Sequence, residues 1–514
     1  MSSHEDALLV TAPVAAAERP PGQEWTTVEF VEDGQDPGGH STGPVVRSAP
    51  LTWGQRALRI GVERYPGNRI LINMRRVVPV PRRASAEVDT VLRAIGTLVG
   101  RHSSLRTRLP VVDGEWSQAV FAAGRLPVLL VRADPGLDAA PDTAPGANDD
   151  PGPDSGRVGR GVGAGADRDE GAATARVIGE QLAATAFDFA EEWPLRVACV
   201  LVGRRVRQIV VVFSHTTVDF GAVEVVLRDL RLLLLRTTLA VPAGAQSIDV
   251  AEREGAARYR QRSERCVARW SAGFGRLGPD TLPWREPPLQ PRFRRALLVS
   301  EAADTAVRLV AERHRVTSST VLLAATTAIL ARRSGNDVVG VYTMVNNRSV
   351  DGYRDAVANL AQLGLVVVDL TDRSSFASLL TVVWRAALDA YRHAYYDPAD
   401  LRRDFGSTGY PSVPGTSPHC YFNDVRLAVD SDLFGRATAE AEVRAAMAAS
   451  RFSWLEHLDD FPWRTRVEVV DQPGALGLLL TADSAHLPPA EAERFLRDLE
   501  RLLVDAAFAD VPWR

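Results

Sequence analysis

The sequence contains no lysine, because all 60 of its Lys+Arg residues are arginine. A chain without lysine cannot form a Schiff base with pyridoxal phosphate or with a carbonyl substrate. It also has neither the lysine of a phosphate-binding loop nor that of a kinase strand. We ascribe the lack to codon bias in a G+C-rich genome, since alanine, glycine, proline and valine are abundant.

Cysteine and long apolar runs are also scarce. Cys199, Cys266 and Cys420 lie far apart and form no C-x-x-C pattern, so we expect no disulfide scaffold, no metal site and a reducing cytoplasm. No run of about 18 apolar residues occurs, which predicts no membrane span. The apolar residues 7–17 follow acidic rather than basic residues, which is not typical of a signal peptide.

Charge and length narrow the class of protein further. The net charge is -4, which does not indicate a nucleic-acid-binding surface. A chain of 514 residues is longer than the ~250–300 residues at which single hydrophobic cores stop growing. We therefore expect two lobes, each with α/β character.

The order of the predicted helices and strands divides the chain. Residues 1–47 are expected to form a mostly irregular extension, with one possible strand. Residues 48–240 and 241–514 are then predicted to form the first and second lobes. Within the first lobe, residues 133–173 are rich in Pro, Gly, Ala and Asp, a composition that cannot support a core and predicts a disordered insertion.

The strongest chemical signal is the hexapeptide from Ser214 to Asp219. It follows the most apolar predicted strand of the chain and opens a helix, so its histidine, His215, can project from a rigid support. Imidazole titrates near pH ~6.5, which suits proton transfer at neutral pH. By itself the H-x-x-x-D spacing is weak, and it favours a histidine that only caps or hydrogen-bonds locally.

Several segments in order resemble the condensation domains of nonribosomal peptide synthetases. The resemblance runs from about Pro50 to the C-terminus. It depends on several motifs that occur in the family's order rather than on a single motif. The matching segments are PLTWGQR at 50–56, RHSSLRTRL at 101–109, FDF at 187–189 with PLR at 194–196, SHTTVDF at 214–220, residues 318–348, and residues 358–370.

This resemblance implies a fold and a chemistry. The fold would be α/β, with two chloramphenicol acetyltransferase-like lobes arranged as a V-shaped pseudo-dimer, each a mixed sheet flanked by helices, and a tunnel between them. Carrier proteins would deliver thioesters on phosphopantetheine arms, without a tightly bound cofactor, to a carrier-bound or small-molecule acceptor. No adenylation or carrier segment fits in the chain, so we expect a free-standing monomer that meets its carrier proteins in trans.

The resemblance also assigns residues to roles. His215 matches the histidine that acts as general base or positions the nucleophile, and Asp219 matches a structural carboxylate that pairs with a distant arginine, here Arg348. Arg106 and Ser214 are expected to support the same turn. The candidates for the tunnel wall are Phe220, Gly221, Asn347, Gln362, Tyr421 and Asn423.

Departures from the family pattern leave three functions open. Ser214 replaces a histidine, and Phe220 replaces a glycine; a bulky side chain there could change the backbone angles or narrow the tunnel. Ala358 and Gln362 also differ from the family residues. The leading hypothesis is a condensation-like acyltransferase that forms amides in preference to esters. The alternatives are a non-catalytic module that recruits carrier proteins or tailoring enzymes, and an acyltransferase that uses free or coenzyme A thioesters.

Overall fold

The computed structural model describes residues 23–32, 45–64, 66–134, 171–277, 282, 284–405, 420–426 and 439–514. Its strands are β1 (Gln23–Val31), β2 (Val45–Pro50), β3 (Asn73–Pro79), β4 (Thr107–Arg108), β5 (Val111–Val112), β6 (Glu115–Phe121), β7 (Ala123–Arg132), β8 (Leu195–Val202), β9 (Arg205–Ser214), β10 (Phe293–Ser300), β11 (Val338–Val345), β12 (Gln362–Asp369), β13 (Cys420–Asp424), β14 (Arg451–Trp454), β15 (Thr465–Gln472) and β16 (Ala475–Asp483).

Helices surround these strands. They are α1 (Trp53–Arg64), α2 (Val88–Arg101), α3 (Ala172–Ala183), α4 (Phe220–Arg236), α5 (Ser247–Glu254), α6 (Ala257–Phe274), α7 (Glu301–His314), α8 (Ser318–Ser334), α9 (Phe376–Arg392), α10 (Pro398–Phe405), α11 (Glu440–Ala448) and α12 (Pro489–Phe508), with short 3-10 helices at Pro66–Ile72 and Ser103–Arg106. None of the described helices combines the length and the apolar character needed to cross a bilayer. Most of the predicted insertion, residues 135–170, lies outside the described residues.

The first lobe is built on a five-stranded sheet in the order β1-β7-β8-β9-β3. It is a mixed sheet, because β7 and β8 are parallel while the other neighbours are antiparallel. Alternate residues of β9 face the core that α2 and α4 complete, and the residues between them face α3. Both faces of β9 are therefore covered, which explains its continuous apolar run.

The second lobe is built on a seven-stranded sheet in the order β12-β11-β13-β15-β16-β10-β14. It is also mixed, since β13 is parallel to both of its neighbours. Helices α7, α8, α9 and α12 cover one face with the largest hydrophobic core of the described chain, and α6 lies on the other face. Two mixed sheets flanked by helices confirm the predicted fold class.

The structure contains elements that the sequence pattern does not predict, among them two strands of the main sheets. The sequence pattern also predicts a single long polar helix from Val250 to about Arg276. The structure has two helices there, α5 and α6, because the chain turns at Gly255–Ala256. Strands β3 and β10 were not predicted, since paired arginines interrupt their alternating pattern. The expected strand near Trp25–Val31 is present as β1, at an edge of the first sheet.

A buried cluster of aromatic rings lies where the lobes meet. The rings of Trp53 of α1, Tyr259 of α6, and Tyr353 and Tyr395 of the second lobe pack against one another beside Glu254. The Trp53 main-chain N–H lies 2.8 Å from Glu254 Oε2, and the Tyr395 hydroxyl lies 2.6 Å from Oε1. Burial raises the pKa of Glu254 to about 8 although these two hydrogen bonds lower it.

Replacing Glu254 by glutamine is expected to flatten the pH dependence of stability. The folded chain holds the proton of Glu254 up to about pH 8, whereas the unfolded chain releases it near the ordinary value of 4.5. The contribution is therefore complete below pH 4.5 and is lost as pH rises towards 8. Thermal unfolding between pH 4.5 and 8 measures this, and equal slopes for wild type and Glu254→Gln would contradict it.

Candidate active site

His215 follows the last residue of β9, at the start of the turn that leads into α4. Its main-chain N–H donates to the Ile72 carbonyl at 3.0 Å, which fixes the turn against the end of the neighbouring strand β3. The ring Nδ1 lies 2.8 Å from the Val218 carbonyl oxygen. Because a carbonyl only accepts, Nδ1 carries the hydrogen of the neutral ring, and Nε2 keeps a lone pair. The half-buried imidazole can therefore take a proton at Nε2.

Asp219 closes the same turn and begins α4. Its Oδ1 accepts from the Ala222 main-chain N–H at 2.7 Å, so it is the N-cap of the helix. Its Oδ2 accepts from the Leu360 main-chain N–H at 2.9 Å, across the lobe boundary. The residue is 1% exposed. Both of its carboxylate oxygens are therefore engaged in structural hydrogen bonds.

The ion pair predicted between Asp219 and Arg348 is present. Arg348 Nη2 lies 2.5 Å from Asp219 Oδ1, and its Nη1 donates to the Ala356 carbonyl at 2.8 Å. Gly221 makes room for this side chain, because a Cβ at that position would lie 2.0 Å from Arg348 Nε. Gly221 therefore borders Arg348, and the glycine is required by contact with a guanidinium rather than by an unusual φ.

The segment that connects β11 to β12 crosses to the first lobe at this point. The Asp219 main-chain N–H lies 3.4 Å from the Ala358 carbonyl, and Asn359 Nδ2 donates to the His215 carbonyl at 2.8 Å. Asn359 was not among the predicted site residues. Its contact joins positions 144 apart, and no local sequence pattern indicates such a partner.

Ser214 is buried and bonds within the turn. Its hydroxyl lies 2.7 Å from that of Thr216, and both line a small cavity of about 10 Å³ together with Thr217 and the segment 187–189. A cavity of this size holds about one water molecule. Ser214 is thus part of the turn that carries His215, as the sequence suggested.

The expectation that Arg106 supports this turn is wrong. Arg106 directs its guanidinium to Glu32, at 2.8 Å, and to the Phe121 carbonyl, and so fastens β1 to β6. The support comes instead from Ser104, whose hydroxyl contacts that of Ser247 at 3.0 Å. Ser247 in turn lies 3.3 Å from the Thr217 carbonyl.

The expectation that Phe220 changes the backbone angles is also wrong. Phe220 is the first residue of α4, and among the described residues it is not one of those with positive φ. Its ring lies 4.8 Å from the guanidinium carbon of Arg76, a buried residue of the edge strand β3. The aromatic side chain therefore covers a buried cation at the edge of the first sheet.

Three of the expected tunnel residues lie within packed protein instead. Asn347 is 2% exposed and donates its amide to the Leu360 and Ala394 carbonyls. Gln362 is 1% exposed and donates to the Tyr396 carbonyl at 2.7 Å. Tyr421 is buried with its ring stacked on Trp463, at a centroid distance of 5.1 Å. Asn423, by contrast, is half-buried on the same strand as Tyr421.

A larger cleft lies where the lobes meet beside α1. Its volume is about 510 Å³, and its walls come from α1, β6 and α10. Arg56 bridges to Asp397 at 2.9 Å, and Arg59 contacts Glu115 at 2.6 Å. In the described part of the chain, no group of three or more His, Cys, Asp or Glu residues could hold a metal ion.

Two comparisons relate the sequence to known proteins. The family model described as "Condensation domain" matches residues 164–413. The isonitrile lipopeptide synthase of Mycobacterium tuberculosis is 26% identical over 361 residues, or 67% of this chain, and a hybrid PKS-NRPS synthetase of an Acremonium species is 24% identical over 344 residues, or 64% of the chain. The chain spans only 13% and 8% of the lengths of these two relatives.

Solved structures share the fold at low identity. The condensation domain of the monacolin K polyketide synthase MokA aligns with a TM-score of 0.65 and 16% identity, over 92% of this chain and 100% of that one. The X-domain in complex with OxyB from teicoplanin biosynthesis aligns with a TM-score of 0.57 and 15% identity, over 93% and 98%. The chain is thus similar in sequence to condensation domains over residues 164–413, and it shares their fold over nine tenths of its length.

Proposed function

We propose that this chain is an acyltransferase of nonribosomal peptide or related natural-product biosynthesis. It joins an acyl or aminoacyl group, presented as a carrier-protein thioester, to an amine, with a hydroxyl as the less favoured acceptor. The observation that carries the proposal is the His215 ring, whose Nδ1 is held by Val218 so that Nε2 can accept a proton. The match of residues 164–413 to the condensation domain model supports the same class of reaction.

The proposed step is an aminolysis. The acceptor nitrogen attacks the thioester carbonyl carbon, and His215 Nε2 takes the proton that this nitrogen loses. The tetrahedral intermediate then collapses, the C–S bond breaks, and the departing sulfur takes the proton from the imidazolium. The products are an amide and a free phosphopantetheine thiol, and the imidazole returns to its neutral form.

The rest of the site holds the imidazole in place for this step. The charged groups of Asp219 and Arg348 bind each other and nearby main-chain groups. A base within reach of the nucleophile contributes through orientation as well as basicity. The phosphopantetheine arm belongs to the carrier protein in this scheme, and no tightly bound cofactor takes part.

A single-turnover assay tests the proposal. A carrier protein loaded with an octanoyl thioester is mixed with the protein and an amino acid amide, and intact-protein mass spectrometry follows the acyl group. The expected result is loss of the acyl mass from the carrier and appearance of the octanoyl amide, faster than without protein. No acceleration with any acyl-loaded carrier of a panel would reject the enzymatic function.

A recruitment module is the second candidate, because the teicoplanin X-domain, solved in complex with OxyB, shares this fold. In the sequence, the feature that favours this candidate is Phe220, where condensation domains carry a glycine. The contact between the Phe220 ring and Arg76 accounts for the aromatic residue without a blocked site.

Phe220→Gly is accordingly expected to bring no gain in transfer rate. It removes the ring from Arg76 and places glycine in the first turn of α4, so a lower melting temperature is expected. The transfer assay and thermal unfolding measure both effects. Faster transfer by this variant would show that the ring does obstruct the substrate path, and would favour the recruitment function for the native chain.

A further inference from the structure

Asn359 is a buried residue that touches the proposed base from the opposite lobe. It is 1% exposed and uses both ends of its amide. Nδ2 donates to the His215 carbonyl at 2.8 Å, and Oδ1 accepts from the Ala361 main-chain N–H at 3.2 Å. Because Oδ1 is held by an N–H group, the NH₂ end must face His215, and the direction of the hydrogen bond is fixed.

The main chain of Asn359 is itself held by the first lobe. The Thr52 hydroxyl donates to the Asn359 carbonyl at 3.3 Å. Gly54 of α1 lies so close that a Cβ there would be 2.2 Å from the same oxygen. Asn359 therefore lies between α1 and the turn at His215, with little freedom to move relative to either.

Each of the other two contacts described for His215 comes from its own lobe. Its main-chain N–H binds Ile72, and its ring binds Val218. The hydrogen bond from Asn359 is the contact that ties the peptide carrying the imidazole to the second lobe. If the lobes shift, this bond acts directly on the peptide of the base, whereas the ties of Asp219 to Leu360 and Arg348 act on the end of the same turn.

We propose that Asn359 is a positioning residue for His215, which sets the direction of Nε2 by holding the His215 carbonyl across the lobe boundary. The proposal rests on the acyl-transfer function of His215. Asn359 does not touch the reacting atoms, so it acts on the rate only through the histidine. The orientation of the imidazole is thereby coupled to the arrangement of the two lobes.

Two substitutions at this position test the proposal. Asn359→Asp keeps the size but places a carboxylate oxygen against the His215 carbonyl, and Asn359→Ala removes the donor without adding charge. A misplacement of about 1 Å costs about 10²-fold in rate, so a loss of about 10- to 100-fold in the single-turnover rate is expected. The apparent affinity for the acyl-loaded carrier should change little. Wild-type rates in both variants would overturn the proposal.

A double-mutant cycle separates positioning from general stability. In the His215→Ala background, Asn359→Ala should lower the residual rate no further, because the group through which it acts is gone. A further loss of the same size in that background would show a merely structural role. If His215→Ala alone leaves the rate unchanged, the proposed function fails instead, so the two failures are distinguishable.

A readout without turnover completes the test. The ¹⁵N shifts of the His215 ring, assigned with His215→Ala, report the hydrogen bond from Nδ1 to Val218. Asn359→Asp is expected to change these shifts, while those of the exposed His314 stay as in the wild type. Unchanged His215 shifts in both Asn359 variants would overturn the positioning role.

Discussion

Replacing His215 by alanine is expected to lower the single-turnover acyl-transfer rate by about 10²- to 10⁴-fold, the usual contribution of a positioned general base. The variant loses the one ring nitrogen left as an acceptor, since Nδ1 is bonded to Val218. Binding of the acyl-loaded carrier should persist, because the imidazole is half-buried in the turn. Rapid quench with mass spectrometry measures the rate, and carrier binding is measured separately.

His314→Ala is the matched control for the loss of an imidazole. His314 is exposed at the end of α7, on the helical side of the second sheet. Its removal is expected to leave the transfer rate unchanged. Transfer by His215→Ala at the same rate as this control would show that His215 is not the base.

Replacing Arg348 by alanine is expected to destabilise the fold by about 3 kcal/mol, the lower end of the cost of breaking a buried ion pair. Asp219 is 1% exposed and would lose its only described cationic partner while staying buried. The hydrogen bonds from Ala222 and Leu360 remain, which places the cost at the lower end. Urea unfolding should show a lower midpoint with an unchanged slope.

An exposed ion pair provides the matched control. Arg269 and Asp389 lie 2.8 Å apart with side chains 46% and 38% exposed. Exposed pairs contribute about 0–1 kcal/mol, so Arg269→Ala should shift the midpoint little. Equal shifts for Arg348→Ala and Arg269→Ala would show that the pair with Asp219 is not a structural tie between the lobes.

Much of the fold was predictable because its elements carry strong local patterns. The apolar run of β9 located the strand, and the hexapeptide after it located the turn and the start of α4. Strand β10 was missed because Arg294 and Arg295 interrupt its alternation, although Ala296 and Leu298 face the core. Long side chains can lie along a sheet and keep their charges hydrated. The alternation of apolar and polar residues in a sequence does not show this.

The site was predictable only in the parts that a motif specifies. Spacing and resemblance indicated His215, Asp219 and Arg348, which the structure brings together. They did not indicate that Arg106 bonds to Glu32 and Phe121 instead. Nor did they indicate Asn359. Its contact with His215 depends on how one lobe lies on the other, which is a property of packing and not of local sequence.

The contact between Arg348 and Asp219 has a consequence for behaviour in alkaline solution. Lysine ammonium groups lose their charge near pH ~10.4, whereas guanidinium groups stay protonated above about pH 12. With no lysine in the chain, every side-chain cation other than histidine is a guanidinium group. The electrostatic ties between the lobes therefore keep their full charge in alkaline buffers where lysine-based ties in other proteins are lost.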